Sequence, residues 1–330
     1  MSENLIISGN PVPKEWDLQK GIEDGSGFKW DVQECITSVY TGINKITRYI
    51  KYFTFPFKLF VTRNKYKRIV TKDQFFGLVL AMYIRLFHVK KYPDIYIMTF
   101  IYKPKKGSLH AIFEKFVRYS INAKCVKKIF VFSESEVEYY RRFFKVNKNL
   151  FVKEILGIKD TSDEIKAEKG NYYVAAGRSN RDYQFLKRAW TRKEKLYIVS
   201  EMEKGKDTEY IIHKRNCFKN EFLTLLAGAK ASIISLSDEH ISSGQLVILQ
   251  SSMLGIPCIA TKNDTVCDYI ENNKNGFVIE KTAENLEDAL NQLENEKEYN
   301  RLSFSCKEIF KQKFSLYEMG KRIGSVVKEN

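Results

Sequence analysis

A parallel α/β architecture in two halves is what this sequence predicts, and three observations carry the prediction. Short apolar runs alternate with longer stretches of helical period along the 330 residues. The run at 172–176 ends in small residues followed by Gly177, the punctuation expected where a strand turns into a helix. One polar stretch, residues 157–170, separates an earlier series of runs from a later one. The expected domains are therefore 1–156 and 171–330, with 157–170 as the linker and the last helix packing back on the first domain. With 44% hydrophobic and 14% aromatic residues the chain can bury a sizeable core, which excludes a disordered or fibrous protein.

Taken in order, the first half offers strands at 5–8, 69–71, 94–100 and 128–133. The last is followed by a helix at 134–144, with Ser133 as its N-cap and Glu134 and Glu136 in the first turn. Before it, an amphipathic helix spans 111–121. The second half offers a strand at 172–176, a turn at 177–181 and a helix at 182–190. Strands at 196–200, 209–213 and 231–236 follow, then a helix at 244–254, a strand at 257–261 and a helix at 284–294. No repeat of 20–50 residues is present, so a solenoid or propeller is not expected.

The charge is unevenly placed. Residues 1–156 contain 28 Lys+Arg and 14 Asp+Glu, a net +14 of the total +15, and the remainder contributes +1. Such asymmetry points to an anionic partner for the first half or, more plainly, to a basic soluble surface. Six cysteines carry no C-x-x-C pair and no histidine at ligand spacing, which reads as a reduced chain with neither disulfide framework nor zinc. The first ten residues lack the basic and long apolar regions of a secretory leader, and the run 75–86 is too short to cross a bilayer and contains Arg85. A cytoplasmic protein is expected.

Two segments carry chemistry. In Tyr172-Tyr-Val-Ala-Ala-Gly-Arg-Ser-Asn-Arg-Asp182 a strand ends in small residues, Gly177 permits a tight turn, and Arg178 and Arg181 stand where a helix begins. Free backbone amides, a helix dipole and guanidinium donors together suit a diphosphate, although an ordinary turn with solvated arginines has the same pattern. In the segment from Ser242 to Thr261, small polar residues open a helix that ends at Gly255-Ile256-Pro257. Amides at Ser243, Gly244 and Gln245 could cradle a phosphate, and Gln250 could bond a ribose hydroxyl. The competing reading is a well-capped core helix.

Together and in this order, the two segments resemble GT-B glycosyltransferases of the retaining family-4 type. Gly177-Arg178 after a strand is similar to the opening of that family's donor domain. Gln250-Ser-Ser-Met-Leu-Gly-Ile-Pro-Cys-Ile-Ala260 is similar to its E-A-M-A-x-G-x-P-V-V-A stretch, and Asp268-Tyr-Ile270 with Asn275-Gly-Phe-Val278 to its E-x-V and x-N-G-x-L-V ending. The resemblance covers roughly residues 172–293. Three positions depart from the pattern: Ser242 and Gln250 replace the two glutamates of E-x7-E, and Tyr183 stands where a lysine is usual, with Arg181 as its replacement.

The resemblance implies two Rossmann-like doubly wound domains facing a cleft, and a hexosyltransferase-type enzyme moving sugar from a nucleotide-sugar donor to a glycan or lipid-linked acceptor with retention. It implies no metal and no cofactor beyond the co-substrate, and places the reaction in surface polysaccharide or glycolipid synthesis. It further implies a histidine of the first domain facing the donor sugar. His110 is the expected one, with Arg178 as its catalytic companion. The donor side would be completed by a base pocket around His213, Arg215 and Asn216, with His240 lining the sugar pocket. Gly9 and Asn10, after the first strand, are expected on the acceptor side. The missing glutamates keep open a GT-B-fold protein that binds nucleotide or glycan without catalysis.

Residues 49–68 mix Phe, Tyr and Leu with Lys and Arg. Such a segment suits a membrane interface, with the protein peripheral on the inner face of an anionic membrane, and equally suits an amphipathic helix packed in the core. Nucleic acid is the weaker expectation, because no recognised nucleic-acid motif accompanies the basic residues.

Overall fold

The computed structural model describes residues 2–37, 42–102, 104, 107–203, 205–238 and 243–329. The chain divides into two compact units, one of residues 1–154 with 319–330 and one of residues 155–318.

The first unit is built on strands β1 (Asn4–Ser8), β2 (Asp31–Glu34), β3 (Arg68–Thr71), β4 (Asp94–Ile97), β5 (Val126–Val131) and β6 (Phe151–Lys153), all parallel in the order β2-β1-β3-β4-β5-β6. Helices α1 (Asp17–Ser26), α2 (Lys45–Val61), α3 (Gln74–Leu86), α4 (Ser108–Ile121) and α5 (Glu134–Phe144) make the connections. Both faces of the sheet are buried. Leu5, Ile7, Ile69, Ile95, Ile97, Ile129 and Val131 face one core, and the alternate residues Ile6, Val70, Tyr96 and Phe130 are just as buried on the other face. Helix α5 has the expected bounds because Ser133 Oγ accepts from the Glu136 amide at 3.2 Å while Glu136 reaches back to the Phe132 amide at 2.9 Å.

The second unit has strands β7 (Tyr172–Ala176), β8 (Lys195–Val199), β9 (Ile211–Lys214), β10 (Ala231–Ile234), β11 (Cys258–Thr261) and β12 (Gly276–Ile279). Their order is β12-β11-β10-β7-β8-β9, all parallel. Counted within the unit this is 3-2-1-4-5-6 read from the β9 edge, the dinucleotide-binding arrangement with its switch point between β7 and β10. Helices α6 (Tyr183–Ala189), α7 (Lys219–Ala227), α8 (Gln245–Leu254), α9 (Ala283–Gln292) and α10 (Glu296–Ile309), with a π-helical turn at Phe310–Phe314, cover it. Successive residues of β7 alternate between two cores: Val174 and Ala176 in one, Tyr173 and Ala175 in the other. The strand–helix alternation read from sequence is therefore met by two doubly wound sheets.

The boundaries differ from expectation, and the cause is apolar residues hidden in polar stretches. Residues 157–170 belong to the second unit and are no free linker: Ile158 and Ile165 pack on its core, and Ile158 pairs with Ser315 as a β-bridge, its amide donating to Phe314 O at 3.0 Å. Helix α11 (Leu316–Lys328) enters the first unit from Met319 onward. There it meets α1 glycine to glycine. A Cβ on Gly324 would lie 2.5 Å from Ile22 O, one on Gly320 2.4 Å from Leu18 O, and one on Gly25 2.0 Å from Lys321 O. Arg322 Nε also donates to the buried Glu154 carboxylate at 2.6 Å, fixing α11 against the end of β6. Strands β2, β6 and β12 and helices α1, α3, α7 and α10 are not among the elements expected from sequence; β2 and β6 are short and sit at the two edges of the first sheet.

Candidate functional site

Both sheets have a switch point, where ligands of open α/β sheets bind outside the carboxyl ends of the strands. In the second unit it lies between the loops after β7 and β10. Gly177 has φ +132°, and a Cβ there would meet Arg181 Nε at 2.5 Å, so the turn requires glycine. The turn folds Arg181 back on itself. Its Nε donates to Ala176 O at 2.9 Å, and Nη1 donates to Ser179 O at 2.9 Å and to Ser243 Oγ at 2.7 Å. Among the described residues no acceptor meets Nη2. Burial lowers the Arg181 pKa, yet a guanidinium stays charged, so a desolvated cation is held at the switch point.

Ser243 Oγ in turn donates to Ser179 O at 3.2 Å, and Asn180 bonds Asp238 twice, Nδ2 to O at 2.9 Å and Oδ1 from the amide at 2.8 Å. The two loops are thus stitched into one frame. Gly244, at φ +98°, starts α8, and the Val247 and Ile248 amides bond its carbonyl. The first amides of this ten-residue helix point along its axis toward the same frame, an arrangement that favours a dianionic group. Tyr183 braces the turn from below by donating to Gly177 O at 2.7 Å, and burial pushes its phenol up to about 12. That is the task taken by the residue standing in the usual lysine position.

The remaining expected residues fall at different distances from this frame. Arg178 is exposed, with 69% of its side chain in solvent, and is only 3.5 Å from Glu201. Gln250 is partly exposed on the face of α8 that also carries exposed Leu246. Arg215 and Asn216 are exposed just past β9, which stands two strand spacings, roughly 10 Å, from β7. His213 behaves otherwise: its side chain is only 4% exposed, Nδ1 lies 3.0 Å from Asp207 Oδ1, and Nε2 is buried with no partner. It supports the 205–213 loop, since a Cβ on Gly205 would lie 2.3 Å from its Nε2. His240 and Ser242 lie outside the described residues.

In the first unit the switch point lies between β1 and β3. The Gly9 amide donates to Asp73 Oδ2 at 2.9 Å, and a Cβ on Gly9 would be 2.1 Å from that oxygen. Asn10 follows, its amide donating to Ser8 Oγ at 3.2 Å. Lys72 lies over the Trp16 ring at 5.6 Å, and burial lowers its pKa while raising that of Asp73. Sequence reasoning missed Asp73, although its place directly after a central strand was the available signal. His110 is the third residue of α4, and its Nε2 is 3.1 Å from Tyr102 Oη.

Because burial raises the Asp73 pKa, the fold favours the protonated acid. Its contribution to stability is complete below the ordinary carboxyl range, about 4, and is lost as pH rises through the raised value. Asp73→Asn keeps an oxygen for the Gly9 amide and cannot ionise. It should melt above the parent at pH 7, with the gap closing as pH falls toward about 4. Melting curves at both pH values check this, and a gap that does not change with pH would contradict it.

Among the described residues no group of three or more His, Cys, Asp or Glu could hold a metal ion, and no helix is long and apolar enough to cross a membrane. Residues 166–305 match the model of the family described as Glycosyl transferases group 1. The match lies wholly within the second unit. Solved structures extend the likeness to the whole chain. HepE of Anabaena, solved with UDP, is 12% identical over 99% of this chain and 100% of its own, with a TM-score of 0.63. Sucrose-phosphate synthase of Thermosynechococcus elongatus is 13% identical over 99% and 98%, with a TM-score of 0.64. WaaG, a glycosyltransferase involved in lipopolysaccharide biosynthesis, is 12% identical over 99% and 100%, with a TM-score of 0.56. No curated protein gives a significant match. The chain has the GT-B fold, and the resemblance to group 1 enzymes read from sequence holds. Family match and fold together support glycosyl transfer as the class of reaction.

Proposed function

We propose that this chain is a retaining, hexosyltransferase-type enzyme that moves a sugar from a nucleotide-sugar donor to a glycan or lipid-linked acceptor. The observation that carries the reading is the Arg181–Ser243 frame at the β7/β10 switch point, which joins a half-buried guanidinium to the N-terminus of α8. Charge develops on the leaving diphosphate as its bond to the sugar breaks. Arg181 Nη2, Arg178 and the amides at Ser243–Gln245 are the groups that would hold it. The acceptor oxygen bonds the anomeric carbon on the face the diphosphate leaves, and the acceptor proton passes to the departing phosphate oxygen. No metal or other cofactor enters this scheme. Gln250 would take the ribose and Arg215 and Asn216 the base, with His213 shaping the loop behind them. His110 would act on the sugar, and Gly9 and Asn10 would bind the acceptor. HepE solved with UDP-glucose supports this donor class, and WaaG, a glycosyltransferase involved in lipopolysaccharide biosynthesis, supports a surface polysaccharide or glycolipid pathway; a place at the inner face of the membrane completes the reading.

Arg178→Ala separates binding from folding. The Arg178–Glu201 pair is exposed, so its loss should change stability by less than about 1 kcal/mol. Donor-dependent stabilisation and turnover should drop by about 10²- to 10³-fold. Thermal shift against a panel of UDP-, GDP-, ADP- and CMP-sugars, followed by transfer or hydrolysis assays, measures both. A parent protein that none of the donors stabilises or reacts with would sink the reading and leave the non-catalytic GT-B protein.

A further inference from the structure

Helix α2 has two apolar faces, and the sheet accounts for only one. Pro56, Leu59 and Phe60 are buried, and Tyr52 and Phe55 pack edge-on against Phe76 of α3 at 5.6 and 5.5 Å. On the other side Ile46, Ile50, Phe53, Phe57 and Val61 follow one another at steps of four, three, four and four, a single stripe down the helix. Every one of them is between 45% and 73% exposed. The stripe continues past the helix. Exposed Phe87 and Phe57 both contact the Tyr83 ring, at 6.5 and 5.5 Å, and Leu86 beside Phe87 is exposed as well. A helix of 17 residues makes this apolar ridge roughly 25 Å long, far more than a scattered surface leucine.

The charge around the ridge selects its occupant. From Cys35 to Lys72 the sequence contains nine Lys+Arg and no carboxylate. Lys45, Lys58 and Lys65 stand exposed along the helix and just beyond it, with no ion pair to a described carboxylate. A second copy of the chain, docked about a two-fold axis, would place these cations against themselves. An anionic bilayer meets them with headgroup phosphates and takes the apolar stripe into the acyl boundary.

We propose that the outer stripe of α2 is the surface by which this protein docks on an anionic lipid bilayer, lying in the interface rather than spanning it. This deepens the peripheral placement given above and does not depend on the transfer reaction. The test is flotation of the full chain with phosphatidylcholine vesicles, pure or containing about one-third phosphatidylglycerol. The parent should float with the anionic vesicles only, and added salt should release it. Ile50→Ser/Phe53→Ser/Phe57→Ser should lower partitioning by roughly tenfold or more. These side chains are exposed, so its melting temperature and its shift with nucleotide-sugars should match the parent. Lys58→Glu/Lys65→Glu should weaken binding by roughly fivefold for each cation removed. A parent that stays in buffer, or a triple variant that floats like the parent, overturns the proposal. A parent that is dimeric by light scattering while the triple variant is monomeric overturns it too, and assigns the stripe to a second copy. Donor binding is read on the same samples, so failure at the membrane is distinguishable from failure of the catalytic reading.

Discussion

Arg181→Ala should lower stability and activity together, which Arg178→Ala should not. The Arg181 guanidinium gives hydrogen bonds to two backbone carbonyls and one hydroxyl within a partly buried frame. Bonds from a charged donor contribute about 1.5–3 kcal/mol each and are not additive, so a loss of about 3 kcal/mol is expected. For a unit of this size that corresponds to roughly 6–12 °C in melting temperature. Turnover should fall by about 10²- to 10³-fold, because the loops after β7 and β10 then lose both their charge and their tie. Arg181→Lys restores a point charge that cannot reach three acceptors, and should recover stability and rate only in part. Calorimetry and donor turnover on the three proteins decide the matter. An Arg181→Ala enzyme with parental melting and rate would remove Arg181 from the site.

Gly324→Val should release α11 from the first unit. Its Cβ would lie 2.5 Å from Ile22 O and 2.8 Å from the Ser26 amide nitrogen. Both are backbone atoms, so no rotamer change relieves the clash and the helices must separate. The cost should be about 3 kcal/mol, the upper end of overpacking penalties, with loss of the Arg322–Glu154 pair following from it. Limited proteolysis should then cut near Met319, and the first unit should melt earlier while the second keeps its response to nucleotide-sugars. Parental resistance to proteolysis would show that the α1–α11 contact bears little of the unit's stability.

What the sequence disclosed followed from local chemistry. Helix α5 was legible to the residue because Ser133 and Glu136 are both cap and label. Strand β7 and its turn were legible because Gly177 cannot be another residue there. Gly9 and Ser243 were legible as members of strand-end loops, but what they bond was not. The Asp73 carboxylate lies 64 positions from Gly9, and Ser243 62 from Arg181. Pairings at such separation are fixed by strand order, which periodicity does not contain. The same limit explains 157–170: its polar composition described the solvent side, while Ile158 and Ile165 settled where the segment lies. For His213 its place at a strand end suggested a base pocket, and only the Asp207 contact and its burial reveal a side chain turned inward.

The first unit is completed by residues that translation delivers only after the whole of the second. A ribosome making this chain has released residues 1–154 well before Met319 exists, and residues 155–318 must be synthesised in between. At roughly 5–20 residues per second the interval is on the order of ten to thirty seconds. Throughout it, the seat for α11 on α1, around Leu18 and Ile22, faces water, while the intervening unit is contiguous and free to fold as soon as it emerges. The nascent protein therefore completes its second unit before its first unit is closed, and leaves the apolar seat on α1 open until α11 arrives.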